Sequence, residues 1–290
     1  MRHALVTGCS RGIGLAIAKR LLGLADGAGS ALSVTSSTPA HDDTHTEKAG
    51  RDIATDKAGR DNVKAKPAAG FSYRVSGTRC RSDFPPDLDR HDGFTGYTVD
   101  LSDHGQIERV LKALLNRDLP DVLVNNAGIF EDADFGTDDR TWLSVWDRIM
   151  TVNLRSSALL SKWFVNAHVR AGSEGIIINI ASRAAYRGDT QEYAAYAASK
   201  GGMAAFTKSL ARDFSRKGIV AYTVAPGFIE TDMARESVRI YGEAALTSGS
   251  AFDEITQPHE VANLVAFLAS GEVRHMSGST FHINGGSYMV

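Results

Sequence analysis

Cysteine is nearly absent. The chain of 290 residues holds two, Cys9 and Cys80. Two cysteines build no disulfide framework and point to a reducing compartment: the cytoplasm, or a mitochondrial matrix or plastid where a presequence precedes the chain. No cluster of His, Cys, Asp and Glu has metal-ligand spacing, so no metal is expected. No apolar run approaches the roughly 20 residues that span a bilayer. The opening Met1-Arg2-His3-Ala4-Leu5-Val6 reads as a strand and lacks the regions of a signal peptide. Charge of either sign is also missing in excess, the formal net being −2. That indicates neither nucleic acid nor a membrane surface as partner. What remains is an ordinary globular composition, long enough for one large α/β domain or two small ones.

Residues 4–7 are a short apolar run that ends at Gly8. Cys9, Ser10, Arg11, Gly12, Ile13 and Gly14 follow, and residues 15–22 carry a helical pattern. Strand, glycine turn and helix in this order suit a dinucleotide. Glycines let a phosphate approach the chain closely, and a helix start offers free N–H groups and a positive dipole end. Cys9 reads as a small space-filler. Residues 31–35 read as the second strand, whose end faces the adenine ribose in a doubly wound fold. Ser36 and Ser37 stand there, with no carboxylate before Asp42. Hydroxyls accept a 2′-phosphate and Arg11 adds a charge-assisted bond, so NADP(H) is expected over NAD(H).

From about 39 to 93 the pattern dissolves into mixed charge, Gly, Pro, Ser and Thr. Lys48-Ala-Gly-Arg-Asp52 repeats as Lys57-Ala-Gly-Arg-Asp61. This step builds neither a helical nor a strand face, so the stretch is expected as a surface excursion. A short strand at 71–75 is the one element it offers. The alternation then resumes. Strands are expected at 95–99, 121–125, 176–180, 219–224 and 279–283, and helices at 106–116, 202–214 and 258–270. Asp100 and Leu101 sit where a strand end meets adenine, and Ser102 or Asp103 caps the next helix. Asn126, Ala127 and Gly128 leave room for a cofactor, while the Asn amides tie strands together. The expected class is α/β: a single-domain Rossmann fold over 1–290. Its seven-stranded parallel sheet is doubly wound, with helices on both faces.

The chemistry centres on Tyr196-Ala-Ala-Ser-Lys200. Residues four apart share one helix face. A nearby ammonium favours phenolate and lowers a tyrosine from its usual value of about 10 toward an acid/base range. Tyr193 lacks such a partner, because residue 197 is alanine.

Thr7-Gly8, Gly12-Ile13-Gly14, Asn125-Asn126-Ala127-Gly128, Asn153, Ser182, Tyr196 with Lys200, and Pro226-Gly227 resemble, in this order, the short-chain dehydrogenase/reductase family. The resemblance covers nearly all of the chain except the polar stretch. Residues 226–233 and 282–290 are similar to the 3-oxoacyl-(acyl-carrier-protein) reductases of type II fatty acid synthesis, which use NADPH and are typically tetramers. The resemblance implies that Tyr196 is the general acid, Ser182 holds the carbonyl oxygen, and Lys200 lowers the tyrosine and holds ribose hydroxyls. Asn153 would hold a water that relays protons to Lys200. It implies cofactor contacts at Pro226, Gly227, Ile229 and Thr231, and a substrate lid over 232–255. Tyr186, Arg187 and Gln191 are candidate substrate contacts. Lys217 is a candidate for attracting an acidic acyl-carrier protein. The reaction implied is reduction of a 3-oxoacyl thioester by a homotetramer. Another ketone or secondary alcohol, or a silent NADP-binding sensor, remain the alternatives.

Overall fold

The central strands are buried on both faces, and that dictates a sheet covered on both sides. Every residue of β5 (Gly175–Ile180) and of β6 (Ile219–Pro226) is buried. The computed structural model of the chain describes residues 1–24, 72–232, 234, 239, 242, 247 and 249–289. Five further strands join these two: β1 (Arg2–Val6), β2 (Tyr73–Arg79), β3 (Phe94–Thr98), β4 (Val122–Asn125) and β7 (Thr280–Ile283). The order is β3-β2-β1-β4-β5-β6-β7, with every pairing parallel.

Period-2 alternation splits the core in two. Ala4, Val6, Val124, Ile178 and Val224 face α1 (Gly12–Leu22), and they also face α2's Leu88 and the later helix that carries Val261, Val265 and Leu268. Here α2 is the short helix Pro86–Asp89. Leu5, Leu123, Ile177 and Ala221 point the other way. They meet α3 (104–117) and α4 (139–171), which supply Leu111, Leu114, Leu160 and Phe164. After the short α5 (Ala184–Arg187) comes α6 (Ala194–Phe214), whose Leu210 joins the same cluster. α7 (Pro258–Ala269) is closed at its start by a reciprocal cap between Gln257 and Glu260. Each buried aliphatic or aromatic side chain contributes about 1.5–3 kcal/mol.

The chain steps outward from β1 to β2 and β3. It then returns to the other side of β1 and continues through β4 to β7. The reversal between β1 and β4 opens a crevice at their carboxyl ends. The second strand is a correction to the sequence reading. Residues 31–35 lie outside the described residues, and the strand paired with β1 on the outer side is Tyr73–Arg79. The polar stretch therefore does not run unbroken to Gly93, because its last part supplies β2 and α2. Tyr73, Val75 and Leu88 are buried there.

A polar ladder crosses the second layer. Asn125 Nδ2 donates to Asn179 Oδ1 at 2.8 Å and to Ser161 Oγ at 3.1 Å. Asn179 Nδ2 donates to Thr207 Oγ1 at 2.8 Å, and that hydroxyl donates to the Met203 carbonyl at 2.8 Å. The ladder bolts β4 and β5 to α4 and α6, and so fixes the height of the helix that carries Tyr196 and Lys200. Thr207→Val keeps the shape and leaves a buried amide unpaired. It should cost about 1–3 kcal/mol in urea unfolding; a change near zero would show that the ladder is not what anchors α6.

Candidate active site

The glycine turn is built by backbone that side chains resist. Gly8 has φ +66° and Gly12 φ +55°. A Cβ at Gly14 would lie 2.1 Å from the Gly8 carbonyl oxygen. Thr7 holds the turn to β4: its hydroxyl accepts from the N–H groups of Asn126 and Ala127, each at 3.0 Å. Asn126 Nδ2 returns to the carbonyls of Thr7 (2.9 Å) and Gly8 (3.1 Å). The Asn126 amide is thus a clamp on the turn. α1 starts with no side-chain cap and no acid in its first turn. Its free N–H groups and dipole are left for an anion.

A cleft of about 420 Å³ runs from this turn to Tyr196 and Lys200. Of the residues expected to contact the cofactor, Gly8, Ser10, Arg11, Gly12, Ile13, Gly14, Asp100, Leu101, Asn126, Ala127, Gly128 and Thr231 line it. Ser36 and Ser37 lie outside the described residues. The end of β2 occupies the place expected of them, and Arg79, Cys80, Arg81 and Ser82 line the cleft there. Sequence reasoning missed these arginines because it placed the second strand some forty residues too early. Arg79 is committed to Asp83 and to Thr98 Oγ1, whereas Arg81 is exposed. Arg11 also stands at the edge, 3.9 Å from Asp232. Pro226, Gly227 and Ile229 do not line the cleft. The Pro226 carbonyl accepts from Arg183 N and Gly227 N donates to the Ile283 carbonyl, while the buried Ile229, past the end of β6, bridges to Thr256. Half of the expected lid, 232–255, lies outside the described residues.

At the other end of the cleft, Lys200 is 3% exposed. Its Nζ donates to the Ile180 carbonyl at 2.8 Å. Burial pushes its ammonium down to about 8. Tyr196 sits one turn earlier on the same face, and the Lys200 Nζ is 5.8 Å from its ring centroid. Tyr196 is not lowered as expected. Burial pushes its hydroxyl up to about 12, and a hydrogen bond from Ser182 offsets part of that rise. The ammonium is turned toward Ile180 and leaves desolvation to dominate.

Asn153 falls in a π-helical turn, Met150–Arg155, inside α4. Its Oδ1 accepts from Ile129 N at 2.8 Å, and its Nδ2 donates to the Ile129 carbonyl (3.0 Å) and Ser199 Oγ (3.1 Å). A Cβ at Gly128 would lie 3.3 Å from both Asn153 Oδ1 and Lys200 Nζ, so the glycine lets the two approach. Tyr186 is not free for substrate: its hydroxyl pairs with Thr280 Oγ1 at 2.5 Å. Arg187 lies 3.9 Å from Asp189, and Gln191 donates to Asp134 at 2.9 Å. Lys217 precedes β6 and lies at the amino edge of the sheet, away from the cleft, over the Phe214 ring. Phe130, unmarked in the sequence reading, lies perpendicular to Tyr196 with ring centroids 4.9 Å apart.

Residues 86–288 match the family described as enoyl-(acyl carrier protein) reductase. The chain is also 35% identical over 288 residues to 3-oxoacyl-(acyl-carrier-protein) reductase FabG of Vibrio cholerae, covering 99% of this chain and 97% of that one. The chain belongs to the short-chain dehydrogenase/reductase family. FabG of Escherichia coli is 39% identical over 196 residues, 67% of this chain and 78% of the relative. Among solved structures, 4-hydroxyisoleucine dehydrogenase complexed with NADH shares the fold, with a TM-score of 0.76 at 23% identity over 99% and 98% of the two chains. A protein assigned as 2-deoxy-D-gluconate 3-dehydrogenase from Agrobacterium tumefaciens, with bound NADP, has a TM-score of 0.72 at 25% identity over 99% and 96%. As a member of this family, the chain is an oxidoreductase.

The depressed Lys200 has a consequence for stability. Its folded value of about 8 lies below its ordinary 10.5, so between these values the unfolded chain binds more protons and stability rises with pH. The cofactor-free wild type should gain on the order of 1–3 kcal/mol across that window relative to Lys200→Met. Parallel stability curves for the two proteins would contradict a buried ammonium.

Proposed function

We propose that this reductase uses NADPH to reduce the carbonyl of a 3-oxoacyl thioester to the 3-hydroxyacyl product, with acyl-carrier protein as the expected bearer. The observation that carries the reading is Tyr196 beside Ser182 and one helical turn from a buried Lys200, at the end of a glycine-turn cleft. The thioester rests on the FabG relatives, one of which matches over 99% of the chain.

The residues present fit a dinucleotide phosphate. The uncapped start of α1 and the two left-handed glycines suit a pyrophosphate. Arg81 and Arg11, both exposed at the adenine end, suit a 2′-phosphate. When bound, the cofactor supplies a hydride to the carbonyl carbon. Ser182 orients the carbonyl oxygen. Tyr196 keeps its proton far above neutral pH and gives it to that oxygen. Lys200 supplies positive charge near the developing alkoxide and donors for ribose hydroxyls. Asn153 fixes the Ile129 backbone beside them, and on this reading a water between Asn153 and Lys200 restores the proton. α4 presents exposed Leu143 beside stacked Trp142 and Trp146, an apolar face that supports a homotetramer. Among the described residues no helix is long and apolar enough to cross a membrane. The FabG relatives support a cytoplasmic place.

A panel of carbonyl substrates run with both cofactors tests this. NADPH oxidation with acetoacetyl thioesters, preferred over simple ketones and sugars, is the expected result. Cofactor binding without turnover of any carbonyl would sink it. For the phosphate contact, Arg81→Ala should raise the KM for NADPH about tenfold or more while leaving that for NADH nearly unchanged. Equal effects on both cofactors would remove Arg81 from that role.

A further inference from the structure

Two loops meet beside the Tyr196 ring, one after β4 and one before α6. They are bridged by the Ala133 N–H donating to the Glu192 carbonyl at 2.9 Å and by Gln191 donating to Asp134 at 2.9 Å. Between the bridges, Phe130 and Tyr193 stack with ring centroids 4.1 Å apart and planes 12° from parallel. Phe130 also meets the Tyr196 ring at right angles, at 89° and 4.9 Å. The wall is built to stay put. Phe130 follows Ile129, whose N–H and carbonyl are both held by buried Asn153. Tyr193 ends the 3-10 turn Gln191–Tyr193 that leads directly into α6. Both residues are only half-buried, so they stand beside Tyr196 partly open to solvent rather than filling the core. No step of the proposed reduction uses either ring.

We infer that Phe130 is a specificity-determining residue, held in place by Tyr193, that limits the size of the group on one side of the substrate carbonyl. The inference rests on the proposed role of Tyr196, because the carbonyl oxygen must lie at Ser182 and Tyr196 for a substituent to meet Phe130. A methyl or methylene passes beside the ring, whereas a phenyl or branched group meets a wall backed by a second ring. An aromatic wall of this kind discriminates by shape: a single methylene in an apolar pocket changes kcat/KM by about 10–200-fold.

The test is a ratio within one enzyme. Steady-state kcat/KM is measured with NADPH for a small and a bulky member of one carbonyl series, acetoacetyl and 3-oxo-3-phenylpropionyl N-acetylcysteamine thioesters. If wild type reduces neither thioester, the matched methyl and phenyl members of whichever ketone series it does reduce take their place. The thioester reading can thus fail without settling this one. Phe130→Ala should move the ratio toward the bulky substrate by about tenfold or more. Tyr193→Leu, which frees the ring, should move it the same way but less, and Phe130→Trp should move it the other way. Partial unfolding lowers both rates and leaves the ratio where it was. A ratio unchanged in a folded Phe130→Ala protein, as judged by its thermal melt, overturns the inference. So does an equal shift in Phe130→Trp and Phe130→Ala.

Discussion

A lysine ammonium is held inside this fold, and most of the site's construction follows from keeping it there. Lys200 is 3% exposed and donates to the end of β5. An ammonium in such surroundings is costly to desolvate, and its depressed titration records that cost. The neighbours are those a buried cation requires. Gly128 leaves out the side chain that would crowd it. Asn153, delivered by a π-helical turn, turns its carbonyl oxygen toward the same space and pins the Ile129 backbone. The Asn125–Asn179–Thr207 ladder holds α6 at the height where residue 200 meets the end of β5.

The two ends of the cleft are mechanically one unit. Thr7 and Asn126 tie the glycine turn after β1 to the end of β4, and Asn125, one residue earlier, begins the ladder that reaches α6. On the proposed reading, an anion at the start of α1 and a carbonyl at Tyr196 would therefore keep a fixed separation. Positioning of this sort accounts for a large share of catalysis in any two-substrate reaction. The tyrosine's proton is retained at neutral pH, as a donor needs. The positive charge that would ease its departure is one helical turn away, directed at Ile180.

Much of the fold could be read from the residues. Apolar runs located β1 and β3 through β7 to within two residues at most ends, and β4, β5 and β6, buried on both faces, left the clearest hydrophobic record. The second strand was misplaced. Tyr73–Arg79 reads Tyr-Arg-Val-Ser-Gly-Thr-Arg, with buried Ser76 and Thr78 paired to His3 and to the glycine turn, so its polarity hid it inside a polar stretch. With it went the arginines at the adenine end, which no local pattern marked. The catalytic spacing was legible because i and i+4 on a helix guarantee proximity. The titration of the pair was not, because it depends on where a flexible lysine turns. Phe130 was invisible for a simpler reason: its task depends on a contact with Tyr193, 63 positions away and itself dismissed for lacking a lysine. Lys217 misled because a basic residue at a helix end says nothing about which edge of the sheet it occupies.

The central claim is that Tyr196 is the proton donor in a carbonyl reduction. It is tested most directly by the ratio of kcat/KM, wild type over Tyr196→Phe, for NADPH-dependent reduction of a carbonyl substrate at neutral pH, with NADPH binding followed in the same samples. The account predicts that binding persists while the ratio reaches about 10²–10⁴, the usual contribution of a positioned general acid. A Tyr196→Phe protein that turns over within a few-fold of wild type would contradict it.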